Sequence, residues 1–247
     1  TDVRIVNTQL FTQDWYIDQM KSKAYNSDPL PISFTHDQYV KGKRDYMFFQ
    51  ELTKERIDIK QFIDFIKSDD ERTLFTIPRS GQKIHFYPTN KIRIPVNKET
   101  VIKNKVVAPQ LNDSIVSAID VDIEGSALYI NRLMMLDLVY NNNWKRPIYF
   151  TGGSFGDDDY IWMKDYLQLD GMVYKLVPVK TPIPKNGSPL DMGNIDTEKM
   201  YKIVMSWDWG NSGDPKIYHD PETRKNSISY RTNLARLTEK LIAEGKI

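Results

Sequence analysis

The stretch from Ser126 to Ser154 constrains the fold more than any other part of the chain. Residues 126–141 read as a helix, and Leu128, Leu133, Met134, Leu136 and Val139 make it apolar around much of its circumference. Such a helix has to be buried on more than one side. Asn141-Asn142-Asn143 ends it. Arg146-Pro147-Ile148-Tyr149-Phe150 then reads as a short buried strand that runs into the turn Thr151-Gly152-Gly153-Ser154. Asp157-Asp158-Asp159 reads as the cap of a further helix that lasts to about Leu169, with Gly171 placed to close it. Helix, strand, turn and helix in that order belong to α/β layer proteins. The chain is therefore read as α/β, a Rossmann-like layered sheet with flanking helices and an inserted small β-rich segment.

The remaining segments are placed around that unit. Residues 2–10, with Val3, Ile5 and Val6, read as an opening strand. A helix begins at Thr12 or Gln13, with Asp14 in its first turn, where a carboxylate suits the helix dipole. Trp15 is expected to pack under the sheet. Pro29 and Pro31 end this segment. Residues 33–117 differ in texture: a helix near 57–67 and strand-like runs at 73–78, 83–87 and 91–96 suggest a meander with hairpin turns at 79–82 and 88–90. Ile119-Asp120-Val121-Asp122-Ile123 alternates strictly, as a half-exposed strand does. A strand at 172–179, a helix at 196–205, a loop at 207–215 and a last helix from Asp220-Pro221 follow, the helix striped by Tyr230, Leu234, Leu237 and Leu241. The expected division is an α/β layer domain of 1–32 and 118–247, with 33–117 as the inserted subdomain.

Composition excludes several functions. The chain has 247 residues, enough for a sizeable core, and a formal net charge of +1, which gives no global basic field to attract nucleic acid. It has no cysteine, which excludes disulfides, thiolate zinc sites and cysteine nucleophiles. No apolar run approaches the roughly 20 residues of a membrane span. His36, His85 and His219 share no metal-ligand spacing, so neither a metal nor a cofactor is assigned. Both ends read as cuts in a longer polypeptide.

Four short stretches carry candidate chemistry. Asp120-x-Asp122 matches an acidic motif that holds a metal and a nucleotide-sugar in some glycosyltransferases, but an alternating strand turns both carboxylates to water without any ligand. Thr151, Gly152, Gly153 and Ser154 follow a strand and offer backbone amides to an anion, yet lack G-x-G-x-x-G spacing or a P-loop lysine, and a plain tight turn has the stronger claim. Trp207, Asp208 and Trp209 set two aromatic faces beside a carboxylate, the usual equipment for a sugar, and equally the means to pin a loop to a core. Asp14-Trp15-Tyr16-Ile17-Asp18-Gln19 forms the most unusual local sequence, with Asp14, Trp15 and Tyr16 as its candidate ligand contacts and an amphipathic helix as the plain alternative. No catalytic set emerges, since no G-x-S-x-G elbow accompanies the histidines.

Taken together, Asp2-Val3-Arg4-Ile5-Val6-Asn7, Asp14-Trp15-Tyr16-Ile17-Asp18-Gln19 and Ser27-Asp28-Pro29-Leu30-Pro31 resemble a Gram-negative membrane-protein family catalogued as domain of unknown function 2723. Arg146–Gly152, Tyr166–Gly171 and Tyr218–Gly245 also fit, and residues 33–117 fit least. Members look like GT-C-type glycosyltransferases akin to protein O-mannosyltransferases. The resemblance implies that this chain is the extracytoplasmic part, at the periplasmic face of the inner membrane, of a protein whose membrane helices precede it. Transferase chemistry in such proteins belongs to a loop beside those helices, so no catalytic residue is carried over. The expected function is non-catalytic: binding acceptor protein or glycan, or bracing the protein's own membrane-spanning part. The competing reading is a soluble α/β enzyme for a nucleotide-sugar or phosphate ester, built on the Gly152-Gly153 turn with Asp120 and Asp122.

Overall fold

The computed structural model describes residues 3–152 and 156–246. The chain forms two compact units, one from 1–105, 116–146 and 157–162, the other from 106–115, 147–156 and 163–247. The segment 33–117 is therefore shared between both, and 33–105 belongs with 3–32.

In the first unit α1 (Asp14–Met20) buries Tyr16, Ile17 and Met20. The short α2 (His36–Tyr39) starts with a reciprocal capping box between Thr35 and Gln38. After β1 (Tyr46–Phe49) and β2 (Ile57–Asp58), the Asp58 carboxylate accepts the Lys60 N–H at 2.7 Å and so opens α3 (Ile59–Lys67). Ile59, Phe62, Ile63 and Ile66 recur at helical spacing and are all buried, which fixes the face of α3 that meets the core. The unit continues with β3 (Leu74–Thr76), β4 (Lys83–Tyr87), β5 (Lys91–Pro95), α4 (Lys98–Lys103), β6 (Ala118–Asp122), β7 (Ala127–Tyr129) and α5 (Ile130–Asn142). One sheet has the order β3-β4-β1-β7, with β1 parallel to β4 and antiparallel to β7. A second has the order β2-β5-β6, parallel then antiparallel.

The second unit holds β8 (Tyr149–Phe150), β9 (Leu167–Asp170) and β10 (Val173–Leu176) in an antiparallel sheet of order β8-β10-β9. Two helices complete it, α6 (Thr197–Met205) and α7 (Pro221–Ala243). Leu169, Ile195, Met200 and Leu237 form a buried cluster against which Tyr174, Val204 and Leu241 pack.

The chain is thus a mixed α/β structure of three small sheets with flanking helices, and among the described residues no single Rossmann-like layer unites them. Several elements differ from expectation for identifiable reasons. Residues 3–9 form no strand: Val3 and Ile5 face solvent, while the Arg4 guanidinium donates to the carbonyls of Gln19 and Met20 at the end of α1. Trp15 is 56% exposed and lies under no sheet. Ala127–Tyr129 is a strand on β1, so α5 begins only at Ile130, whose N–H reaches the Asp45 carbonyl. The turn at 79–82 does join β3 to β4, but β4 and β5 enter different sheets, so 88–90 is no hairpin. Between 157 and 169 two short 3-10 turns replace the helix, because Ile161 and Trp162 adopt positive φ of 54° and 56°. Gly171, at φ +69°, turns the β9–β10 hairpin instead of closing a helix. The strand at Tyr149–Phe150 lies at a sheet edge, with Tyr149 exposed, as the missing N–H of Pro147 next to it suits.

Candidate functional site

The loop after α6 is shaped by its own polar side chains. The Asp208 carboxylate accepts the Gly210 N–H at 2.8 Å, and the Ser212 hydroxyl donates to the Trp209 carbonyl at 2.6 Å. Further on, the Asp214 carboxylate accepts the Lys216 N–H, and His219 Nε2 donates to the Ser212 carbonyl at 3.0 Å. Asp220 then caps α7, accepting the N–H groups of Glu222 and Thr223 and the Thr223 hydroxyl. Those bonds hold its carboxyl below the usual range.

This loop delivers Trp207 and Trp209 to Tyr230 on α7. The three rings meet edge to face, with centroids 5.5 Å apart for Trp207–Trp209, 5.4 Å for Trp207–Tyr230 and 5.7 Å for Trp209–Tyr230. Trp207 also lies over Gly171: a Cβ there would come within 3.4 Å of the indole and 2.9 Å of Ile203. A groove of about 840 Å³ opens along these rings and the adjoining face of α7. Met172 and Leu234 contribute apolar surface, while Asp208, His219, Arg224 and Arg231 contribute charge or hydrogen-bonding capacity. Trp209 is half exposed and Asp208 is exposed, so both are accessible to a ligand.

Residues 1–199 match the family model of TMEM260-associated domain 2. The chain belongs to that family. TMEM260 itself is a membrane protein, O-mannosyltransferase-like. No curated protein and no solved structure matches the chain. The family match holds Asp14, Trp15, Tyr16, Thr151 and Gly152, whereas the tryptophan loop and α7 lie beyond it.

Within the family span, Tyr16 serves the fold: it is buried, packs edge to face on Phe11, and its hydroxyl accepts the Asn7 N–H at 2.8 Å. Asp14 accepts the N–H of Trp15. On the same helix Asp18 accepts from the Tyr39 hydroxyl and from His36 Nδ1 at 2.9 Å. Partial burial acts to raise the Asp18 pKa, but the Tyr39 and His36 hydrogen bonds outweigh it and hold the carboxylate low. Thr151 is exposed at the end of β8, and Gly152, at φ +75°, lies where a Cβ would come within 3.0 Å of the Tyr174 ring. Gly153 and Ser154 lie outside the described residues.

Asp120 and Asp122 face solvent from β6, as their alternation predicts, and both are engaged by arginine. Arg93 grips Asp120 with two bonds of 2.7 and 2.8 Å, and Arg56 reaches Asp122 at 2.6 Å. A cation there would have to displace both guanidinium groups. Among the described residues no cluster of three or more histidine or acidic side chains is arranged to hold a metal ion. A polar row in the second unit also escaped the sequence reading. Buried Asp170 pairs with Lys199 and accepts from Tyr149 and Gln168. Buried Lys175 donates to the Val106 carbonyl, and burial, aided by the Lys199 charge, pushes its ammonium down to about 8. β-strand alternation in 167–175 gave no sign of it, because the pairing of Gln168 with Lys175 is a matter of register.

Proposed function

We propose that this chain is the non-catalytic, extracytoplasmic portion of a multi-spanning glycosyltransferase-like membrane protein, exposed at the periplasmic face. Its proposed task is to hold a glycan, or a glycan-bearing acceptor protein, in the aromatic groove of the second unit while the membrane part supplies the chemistry. The observation that carries the reading is the cluster of Trp207, Trp209 and Tyr230 opening into a groove beside Asp208. Aromatic faces stack on the C–H surface of a pyranose, and neighbouring polar groups choose its hydroxyls. Family membership supports the membrane context, and no described helix is long and apolar enough to cross a bilayer. The finer resemblance to domain of unknown function 2723 supports the periplasmic placement.

Glycan-array binding by the purified chain tests this reading. Binding that is lost in Trp209→Ala, with the circular dichroism unchanged, is the expected result. Sugar transfer from a lipid-linked donor by the chain alone would overturn the non-catalytic part.

A further inference from the structure

The groove carries more information than its rings. Arg224 and Arg231 stand seven residues apart on α7, two helical turns and about 10 Å along one face. Ser227 lies between them, and both arginines line the groove together with Tyr230. Arg224 stacks over the Tyr218 ring at 5.9 Å. Among the described residues neither arginine has a carboxylate within ion-pair distance, although acidic residues are as common as basic ones in this chain, 33 against 34. Elsewhere some arginines are closed onto aspartates, as Arg44 is on Asp69, Arg93 on Asp120 and Arg132 on Asp158 and Asp159, and others, such as Arg4 and Arg236, onto backbone carbonyls.

The remaining charge at the groove is small. Asp208 already accepts the Gly210 N–H, and His219 spends Nε2 on the Ser212 carbonyl. One carboxylate therefore faces two guanidinium groups. An aromatic box alone would suit a quaternary ammonium, but two arginines at its rim repel a cation. What fits both features is a ligand with a ring to stack and an anionic group to fork onto. A guanidinium presents planar, paired N–H donors to a carboxylate or a phosphate.

We infer that the groove selects acidic saccharides, sugars bearing a carboxylate or a phosphate, through Arg224 and Arg231. This rests on the glycan reading above and narrows it. An anionic phospholipid headgroup shares the charge but offers no sugar face to Trp209 and Tyr230.

The test is calorimetry on the whole chain with an oligogalacturonate, its neutral methyl ester, and phosphatidylglycerol vesicles. The acidic oligosaccharide is expected to bind at least about tenfold more tightly than the ester, the worth of one charge-assisted bond. The Arg224→Gln, Arg231→Gln double variant loses that preference and keeps residual binding of the ester, and the corresponding double lysine variant recovers part of it. Trp209→Ala weakens both ligands. Equal affinity for acid and ester overturns the acidic selection and leaves the glycan reading standing. Silence towards both sugars removes both readings. Binding to vesicles without binding to either oligosaccharide overturns this inference in favour of a membrane surface.

Discussion

At the β6 edge of the first unit, Arg56 and Arg93 are folded onto Asp122 and Asp120, whereas on α7 of the second unit Arg224 and Arg231 line a groove and, among the described residues, have no carboxylate within ion-pair distance. Both regions are exposed, and both place acidic or aromatic residues where a ligand was conceivable. The edge neutralises itself, so its short acidic motif is a property of a solvated strand. The groove leaves charge and aromatic surface unspent. A motif's residue types say little until their partners are known. Asp120 and Asp122 look like metal ligands in one dimension and like salt-bridge acceptors in three.

The arginines differ in how far the fold commits their donors. Arg44 is the most committed: it is 1% exposed and donates to the carbonyls of Gln38, Ile66 and Lys67 as well as to Asp69. Arg44→Leu takes the side-chain donor from the Gln38 and Ile66 carbonyls and is expected to lower unfolding stability by about 3–5 kcal/mol, measured by denaturant titration. If the loss is no larger than for Arg93→Gln, burial does not grade these residues and the comparison breaks.

Beside Arg44, His85 supplies a pH signature. Burial, and then the Arg44 charge, push its imidazole down to about 4. The unfolded chain, near the ordinary value of about 6.5, takes up a proton that the folded chain refuses. Stability is therefore full above about 6.5 and falls as the pH drops from there to about 4, by on the order of 2–3 kcal/mol. His85→Gln should remove that segment of the stability–pH curve; an unchanged slope would show that other groups dominate.

The exposed pair of Arg93 with Asp120 comes next. Arg93→Gln should cost less than about 1 kcal/mol, and salt should shrink the difference from the unaltered chain. Smallest of all, Arg224→Gln and Arg231→Gln should each shift stability by no more than about 0.5 kcal/mol while changing what the groove binds. A substantial loss of stability there would mean that these side chains do structural work after all.

The sequence made helical faces legible wherever a period of three and four was sustained. Ile59, Phe62, Ile63 and Ile66 on α3, and Leu237 with Leu241 on α7, needed nothing else, because helix periodicity is local. The alternation around Asp120 gave β6 and its solvent face for the same reason. Short apolar runs were another matter. Val3 and Ile5 suit a strand, but no neighbour pairs with residues 3–9, and Ala127-Leu128-Tyr129 continues a helical pattern while pairing with β1. Pairing is settled by partners distant in sequence, as when β4 and β5, three residues apart, join different sheets. The groove was half legible for that reason. Trp207, Asp208 and Trp209 announce themselves in a row, but Tyr230, Arg224 and Arg231 are brought to them only by the turn into α7.

Helix α7 is buried at one end only. Asn233 donates to the Gly171 carbonyl, Arg236 to the carbonyls of Met192 and Gly193, and Leu237 lies in the core. The twelve residues from Pro221 to Thr232 contribute no buried side chain, so about 18 Å of helix extends past its clamp. In this stretch Tyr230 contacts the two indoles, and the nearest buried anchor is Asn233. A small tilt there is magnified at Arg224 and changes the gap between the guanidinium groups and the indoles. A ligand touching both sides would act as a strut, and amide exchange across 221–232 should slow when it is seated.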